Sequence, residues 1–222
     1  MINALKNYLR KLFGGDKPVE QFTPRPEFIP SYSYKQEIEP VPYDPAEWED
    51  IGFSPLTWKV LGAKYGFALE EVSTWAYEMM LLGYDTPNLT IVAGISKPRS
   101  YYYLQPYFED ALKELGYPIL TYDDAELCYN CFYVKQIANG FNVKSGLFRL
   151  KKMHGYESIG DLMYIQSAWE ELDRGEPFSY DWSDATLDDI ELHCINEARY
   201  WLAEHYDLLQ GIRKQLIGNS NK

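Results

Sequence analysis

Twice along this chain a run with helical spacing is cut by glycine, an aromatic residue and Asp or Asn, and a second apolar stretch follows. The first copy is WAYEMMLLGYDTPNLTIVAGI, from Trp75 to Ile95. The second is YVKQIANGFNVKSGLFRLKKM, from Tyr133 to Met153. Gly83-Tyr84-Asp85-Thr86 aligns with Gly140-Phe141-Asn142-Val143, and Leu89 and Leu147 stand in the short helices that follow. Glycine permits the left-handed conformation that ends a helix, and Asp or Asn suits the turn after it. What repeats is Gly, an aromatic and apolar spacing, not polar chemistry. The repeat therefore predicts a structural unit, the αα-hairpin, rather than a duplicated site. Two copies fall short of the three or more that a solenoid needs.

The rest of the chain agrees with helices. Ser54-Pro55 and Thr86-Pro87 pair a capping residue with proline at the first helical position. Helices are expected over Leu56–Tyr65, Leu69–Leu82 and from Thr86 to about Ala93. Pro106 is expected to open the next, ending at Gly116. A long one runs from Thr121 to Asn139, with Asp123 and Asp124 favourably placed in its first turn. Residues 143–153 form another, and Ser158 caps a helix through Arg174. Thr186 caps the last and longest, to about Gln210. TIVAGI is β-branched enough for a strand, but its proline-led start favours helix. The expected fold is mainly α, a multi-helix bundle or short irregular array of αα-hairpins over residues 54–218.

The N-terminal part reads differently. Ile2, Leu5, Leu9, Leu12 and Phe13 fall at helical spacing, which predicts a short amphipathic helix over residues 1–15. Seven of the thirteen prolines then lie between Pro18 and Pro45. Proline fixes φ and lacks the amide proton, so residues 16–53 read as an extended arm punctuated by aromatic anchors.

The net charge is −12. Four cations against Asp16 give residues 1–17 a charge of +3, which leaves −15 on the remainder. Such a body repels nucleic acid and attracts basic partners. A basic N-terminal helix is expected to dock on the acidic body or on a second copy, giving a homodimer through the arm. No apolar run reaches the ~18 residues of a membrane-spanning helix, so no integral membrane association is expected. Three cysteines fit a reducing, cytoplasmic setting better than a disulfide framework.

Motifs for catalysis are missing. There is no phosphate-binding loop, dinucleotide fingerprint or nucleophile elbow. Cys128 and Cys131 form a C-x-x-C in mid-helix with no strand before it, which reads as two packed thiols. His154 ends a cationic helix and needs no function. Asp189, His193 and Glu197 share one face of the last helix, a partial set for a metal or an acid–base pair. No Glu-x-x-His accompanies them, so no cofactor is expected.

Two aromatic clusters are the candidate protein-binding residues. Tyr101, Tyr102, Tyr103 and Tyr107 cannot all face one core. Phe178, Tyr180, Asp181, Trp182 and Asp184 interleave aromatics with acid on a loop. Aromatics supply desolvated anchors and acids supply steering toward a basic surface. The expected function is a non-enzymatic, acidic protein-binding protein, in its most concrete form an immunity or antitoxin-like inhibitor of a basic partner. The alternatives are an enzyme using the last helix and a structural protein that self-assembles through the arm.

Overall fold

The computed structural model describes residues 42–96, 100–153, 159–175 and 185–218. The protein is mainly helical, with nine α-helices and no strand among the described residues. In chain order they are α1 (Thr57–Val60), α2 (Val72–Leu81), α3 (Pro87–Gly94), α4 (Tyr101–Glu114), α5 (Tyr122–Ala138), α6 (Val143–Met153), α7 (Asp161–Arg174), α8 (Ile190–Glu204) and α9 (Tyr206–Gly218). The expected helix over residues 1–15, most of the arm, and His154 and Ser158 lie outside the described residues.

The repeated unit is a helix stop. At the end of α2 the Tyr84 amide bonds the Met79 carbonyl and the Gly83 amide bonds that of Met80. At the end of α5 the Phe141 amide bonds Gln136 and the Gly140 amide bonds Ile137. Each pair satisfies two carbonyls that the helix end would orphan, the double closure known as the Schellman motif. It requires positive φ at the glycine, which is +96° at Gly83 and +70° at Gly140. Gly116-Tyr117 closes α4 in the same way, with Tyr117 bonding Leu112 and Gly116 bonding Lys113. Among the described residues this double closure therefore occurs at three helix ends, one more than the repeat predicts. The aromatic takes a different place in each. Tyr84 donates its hydroxyl to the Gly52 carbonyl at 2.6 Å, Tyr117 is buried, and Phe141 stands exposed.

Around α5 the fold is assembled. It packs on α1, α6, α8 and α9, while α2, α3 and α4 form a consecutive series joined to it through α1. Ten of its seventeen residues are buried, from Ala125 round to Ala138. A helix enclosed on most sides shows no strong amphipathic stripe, and none is visible in its sequence. The Arg199 guanidinium of α8 donates to the Ala138 carbonyl at 3.1 Å, a cation at the negative end of α5. No helix among the described residues is long and apolar enough to cross a membrane.

Residues 42–53, the described end of the segment read as an arm, contribute to this core. Trp48 and Phe53 are buried. Trp48 meets Tyr206 edge-on at 5.8 Å, and Gln210 and Arg213 of α9 donate to the carbonyls of Glu47 and Glu49.

Several elements differ from the sequence expectation, and the helix expected from Leu69 begins only at Val72. Pro106 lies inside α4 rather than at its start, because the helix already begins after Ser100. Proline removes one amide, and the carbonyl left without it belongs to Tyr102, which is 79% exposed and open to water. The helix expected over Leu56–Tyr65 stops at Val60, followed by 3₁₀ turns over Ala63–Tyr65 and Leu69–Glu71. There the chain folds back so that Phe67 lies against Gly62, where an added Cβ would come within 2.3 Å of the ring. The last helix is two helices. It breaks at His205, whose ring stacks on Trp201 at 4.3 Å and meets the Trp201 carbonyl at 2.8 Å. α8 itself starts at Ile190, three residues later than expected, because the Asp189 carboxylate accepts from the Thr186 amide at 2.6 Å and closes a turn first.

Candidate functional site

On α4 the tyrosine cluster divides. Tyr101 turns inward, donating its hydroxyl to Glu109 Oε1 at 3.1 Å and meeting Phe108 edge-on. Burial and the neighbouring carboxylate push its phenol well above the ordinary range. Tyr102, Tyr103 and Tyr107 are exposed by 79%, 72% and 40%. Tyr102 and Tyr103 contact each other edge-on at 5.6 Å, so they form one aromatic projection rather than two isolated rings. Phe178, Tyr180, Asp181, Trp182 and Asp184 lie outside the described residues.

The α8 face separates as well. His193 Nε2 stands 3.8 Å from Asp189 Oδ1, beyond hydrogen-bond distance. Glu197 does not complete that pair. It belongs to a recess of about 390 Å³, walled on one side by residues 159–162 at the start of α7 and on the other by Glu197, Tyr200, Trp201 and Glu204. Three of the lining residues, Asp161, Glu197 and Glu204, are acidic, and none is Lys or Arg. No group of three or more His, Cys, Asp or Glu among the described residues is arranged to hold a metal ion.

Burial, and then the charge of Asp161, raise the Glu197 carboxyl from 4.5 to about 7. A carboxyl raised on folding binds its proton more tightly in the folded than in the unfolded chain. Stability therefore falls as pH rises from 4.5 to 7, and the penalty is complete above 7. Glu197→Gln is expected to flatten that slope. It should raise stability at pH 8 by about 1 kcal/mol once solvent access to the side chain is allowed for, with little change at pH 4.5. Urea unfolding at the two pH values reads this out, and an equal effect at both would assign the slope to other groups.

The three thiols are buried. Desolvation raises all of them, Cys131 to about 12, so they are neutral near pH 7. Cys128 and Cys131 accordingly pack within α5 as small apolar side chains. A disulfide-exchange reagent such as Ellman's is expected to find none of the 3 thiols in the folded protein and all of them after denaturation. Rapid native-state labelling of Cys128 or Cys131 would contradict the packing assignment.

Two buried lysines escaped sequence reading. Lys59 of α1 pairs with both carboxylate oxygens of Glu71, at 2.5 Å to Oε1. It lies 4.9 Å from the ring of Phe132 and 5.1 Å from that of Tyr133. Lys135 of α5 pairs with Asp50 at 2.5 Å, with both side chains nearly enclosed, and stands 5.4 Å from the Trp58 ring. Lysine in a helix reads as solvated surface, and the carboxylate partners lie 12 and 85 residues away. The faint signal available was aromatic density near both lysines.

Compared with family models, curated proteins and solved structures, the chain matches none.

Proposed function

We propose that the protein is a non-enzymatic binding protein that engages a basic protein partner, as an immunity or antitoxin-like inhibitor does. The observation that carries this reading is the recess between α7 and α8, with Asp161, Glu197 and Glu204 and no cation in its lining. A cationic side chain is the group that relieves the mutual repulsion of those carboxylates, and Tyr200 and Trp201 offer it aromatic surface. The exposed tyrosines of α4 support the same reading as desolvatable anchors, and the overall charge of −12 supplies long-range steering.

Affinity capture from the native cell, run at low and high salt with the natural protein and with D161N/E197Q/E204Q, tests it. A basic protein is expected to be retained at low salt, released by high salt and retained poorly by the triple variant. Its association rate should fall by about 10–10³-fold between low and high ionic strength. An association rate indifferent to salt and to the triple substitution would overturn the proposal.

One observation favours an acid–base enzyme as the second reading. A carboxyl held near pH 7 beside a second carboxylate in a recess is suited to proton transfer. A pH-dependent turnover abolished by Glu197→Gln would replace the binding reading with this one.

A further inference from the structure

A second cavity, of about 420 Å³, lies on another part of the body, between the 45–55 segment and α5. Its volume is within the range of small-molecule sites. Trp48, Phe132, Phe141 and two prolines, Pro45 and Pro55, supply its apolar lining. Asp50 and Lys135 line it too, and they are the buried ion pair.

The hydrogen-bonding state of that pair is incomplete. Asp50 Oδ1 accepts both from Trp58 Nε1 at 2.7 Å and from Lys135 Nζ at 2.5 Å. Oδ2 receives no donor among the described residues. The Lys135 ammonium has three hydrogens and, among the described residues, a single acceptor, Asp50. Lys135 is nevertheless more than nine-tenths buried. The cavity thus holds an unused donor and an unused acceptor from two adjacent groups within an aromatic lining.

Phe141 supplies an independent observation. The aromatic after the helix-ending glycine finds a partner at Tyr84 and burial at Tyr117, but Phe141 is 62% exposed at this cavity. An exposed ring beside an apolar cavity is a surface that a second ring would cover.

We propose that this cavity binds a neutral, planar aromatic ligand carrying a carboxamide- or lactam-type edge. The carbonyl of such an edge accepts from Lys135 while its N–H donates to Asp50 Oδ2, and the ring is covered by Phe132, Phe141 and Trp48. A carboxylate has acceptors alone and meets Asp50 and Glu49 against one lysine. An amidinium has donors alone and meets the Lys135 ammonium. Only an edge bearing one donor and one acceptor side by side complements an ion pair. The assignment does not rest on the basic-partner reading.

Benzamide, benzoate and benzamidine share one ring and differ in charge, so they isolate the edge. Titration of each into the isotopically labelled full chain, followed through the indole N–H signals of Trp48 and Trp58 and the amide of Phe141, tests the site. Benzamide is expected to bind with a dissociation constant on the order of 1 mM. Benzoate and benzamidine should each bind at least about tenfold more weakly, a difference of about 1.4 kcal/mol. Phe141→Ala, an exposed position whose loss leaves the fold intact, should weaken benzamide about tenfold. Equal affinity for the three probes, preference for either ion, indifference to Phe141→Ala, or no shift at these signals overturns the proposal.

Discussion

Asp50→Ala is expected to lower the free energy of unfolding by about 3–5 kcal/mol, the largest loss from any single charged side chain among the described residues. The magnitude follows from what stays behind. Lys135 is 10% exposed at its side chain and Asp50 13%, so removing the carboxylate leaves a largely desolvated ammonium without its ion-pair partner. The same substitution orphans the Trp58 indole N–H, which donates to Asp50 at 2.7 Å. Asp50→Asn keeps the shape and an acceptor while removing the charge, and should fall between Asp50→Ala and the natural protein. The double change Asp50→Leu with Lys135→Met removes both charges together and is expected to recover most of the loss. Urea unfolding of the three variants measures each step. A loss below about 1 kcal/mol for Asp50→Ala would place the pair with screened surface ion pairs instead.

Trp75→Ala is expected to cost about 3–5 kcal/mol. Trp75 is fully buried on α2, stacks edge-on against Phe108 of α4 at 5.5 Å, and donates its indole N–H to Thr57 Oγ1 at 3.0 Å. One side chain therefore ties α1, α2 and α4 together. Thr57→Val tests the polar part alone. It leaves the N–H buried without an acceptor and should cost about 1–3 kcal/mol. Tyr102→Ala, on the exposed side of α4, is the control and should stay within about 0.5 kcal/mol of the natural protein. If Tyr102→Ala proved as damaging as Trp75→Ala, the exposed aromatic projection would have to be part of the core.

What the sequence made legible was punctuation. Gly83 and Gly140 end helices where their pattern says they do, and Thr121 caps α5 by accepting from the Asp124 amide at 3.2 Å. These are local events, written within five or six residues, and local chemistry decides them. Breaks without punctuation were not legible. The apolar period runs through His205 with no Gly or Pro, and only the stacking of that ring on Trp201 marks the junction of α8 and α9. The acid–aromatic logic was readable as composition, but its geometry was not. Glu197 looked like the partner of His193 four residues away and instead shares a recess with Asp161, on a different helix. The Asp50–Lys135 pair was the least accessible, since nothing near either residue announces a partner 85 positions away.

The clasp of α9 on the 47–49 segment has a consequence for how the chain is made. Gln210 meets the Glu47 carbonyl and Arg213 that of Glu49, contacts that span 163 and 164 residues. A ribosome adding about 5–20 residues per second needs on the order of 10–30 s to cover that distance. Throughout that interval Trp48 has been synthesised while Tyr206, the ring that meets it edge-on, has not. A nascent chain halted before α9 carries Trp48 without the ring that meets it edge-on, a surface that chaperones are suited to hold. Completion of the last helix is then the event that releases it.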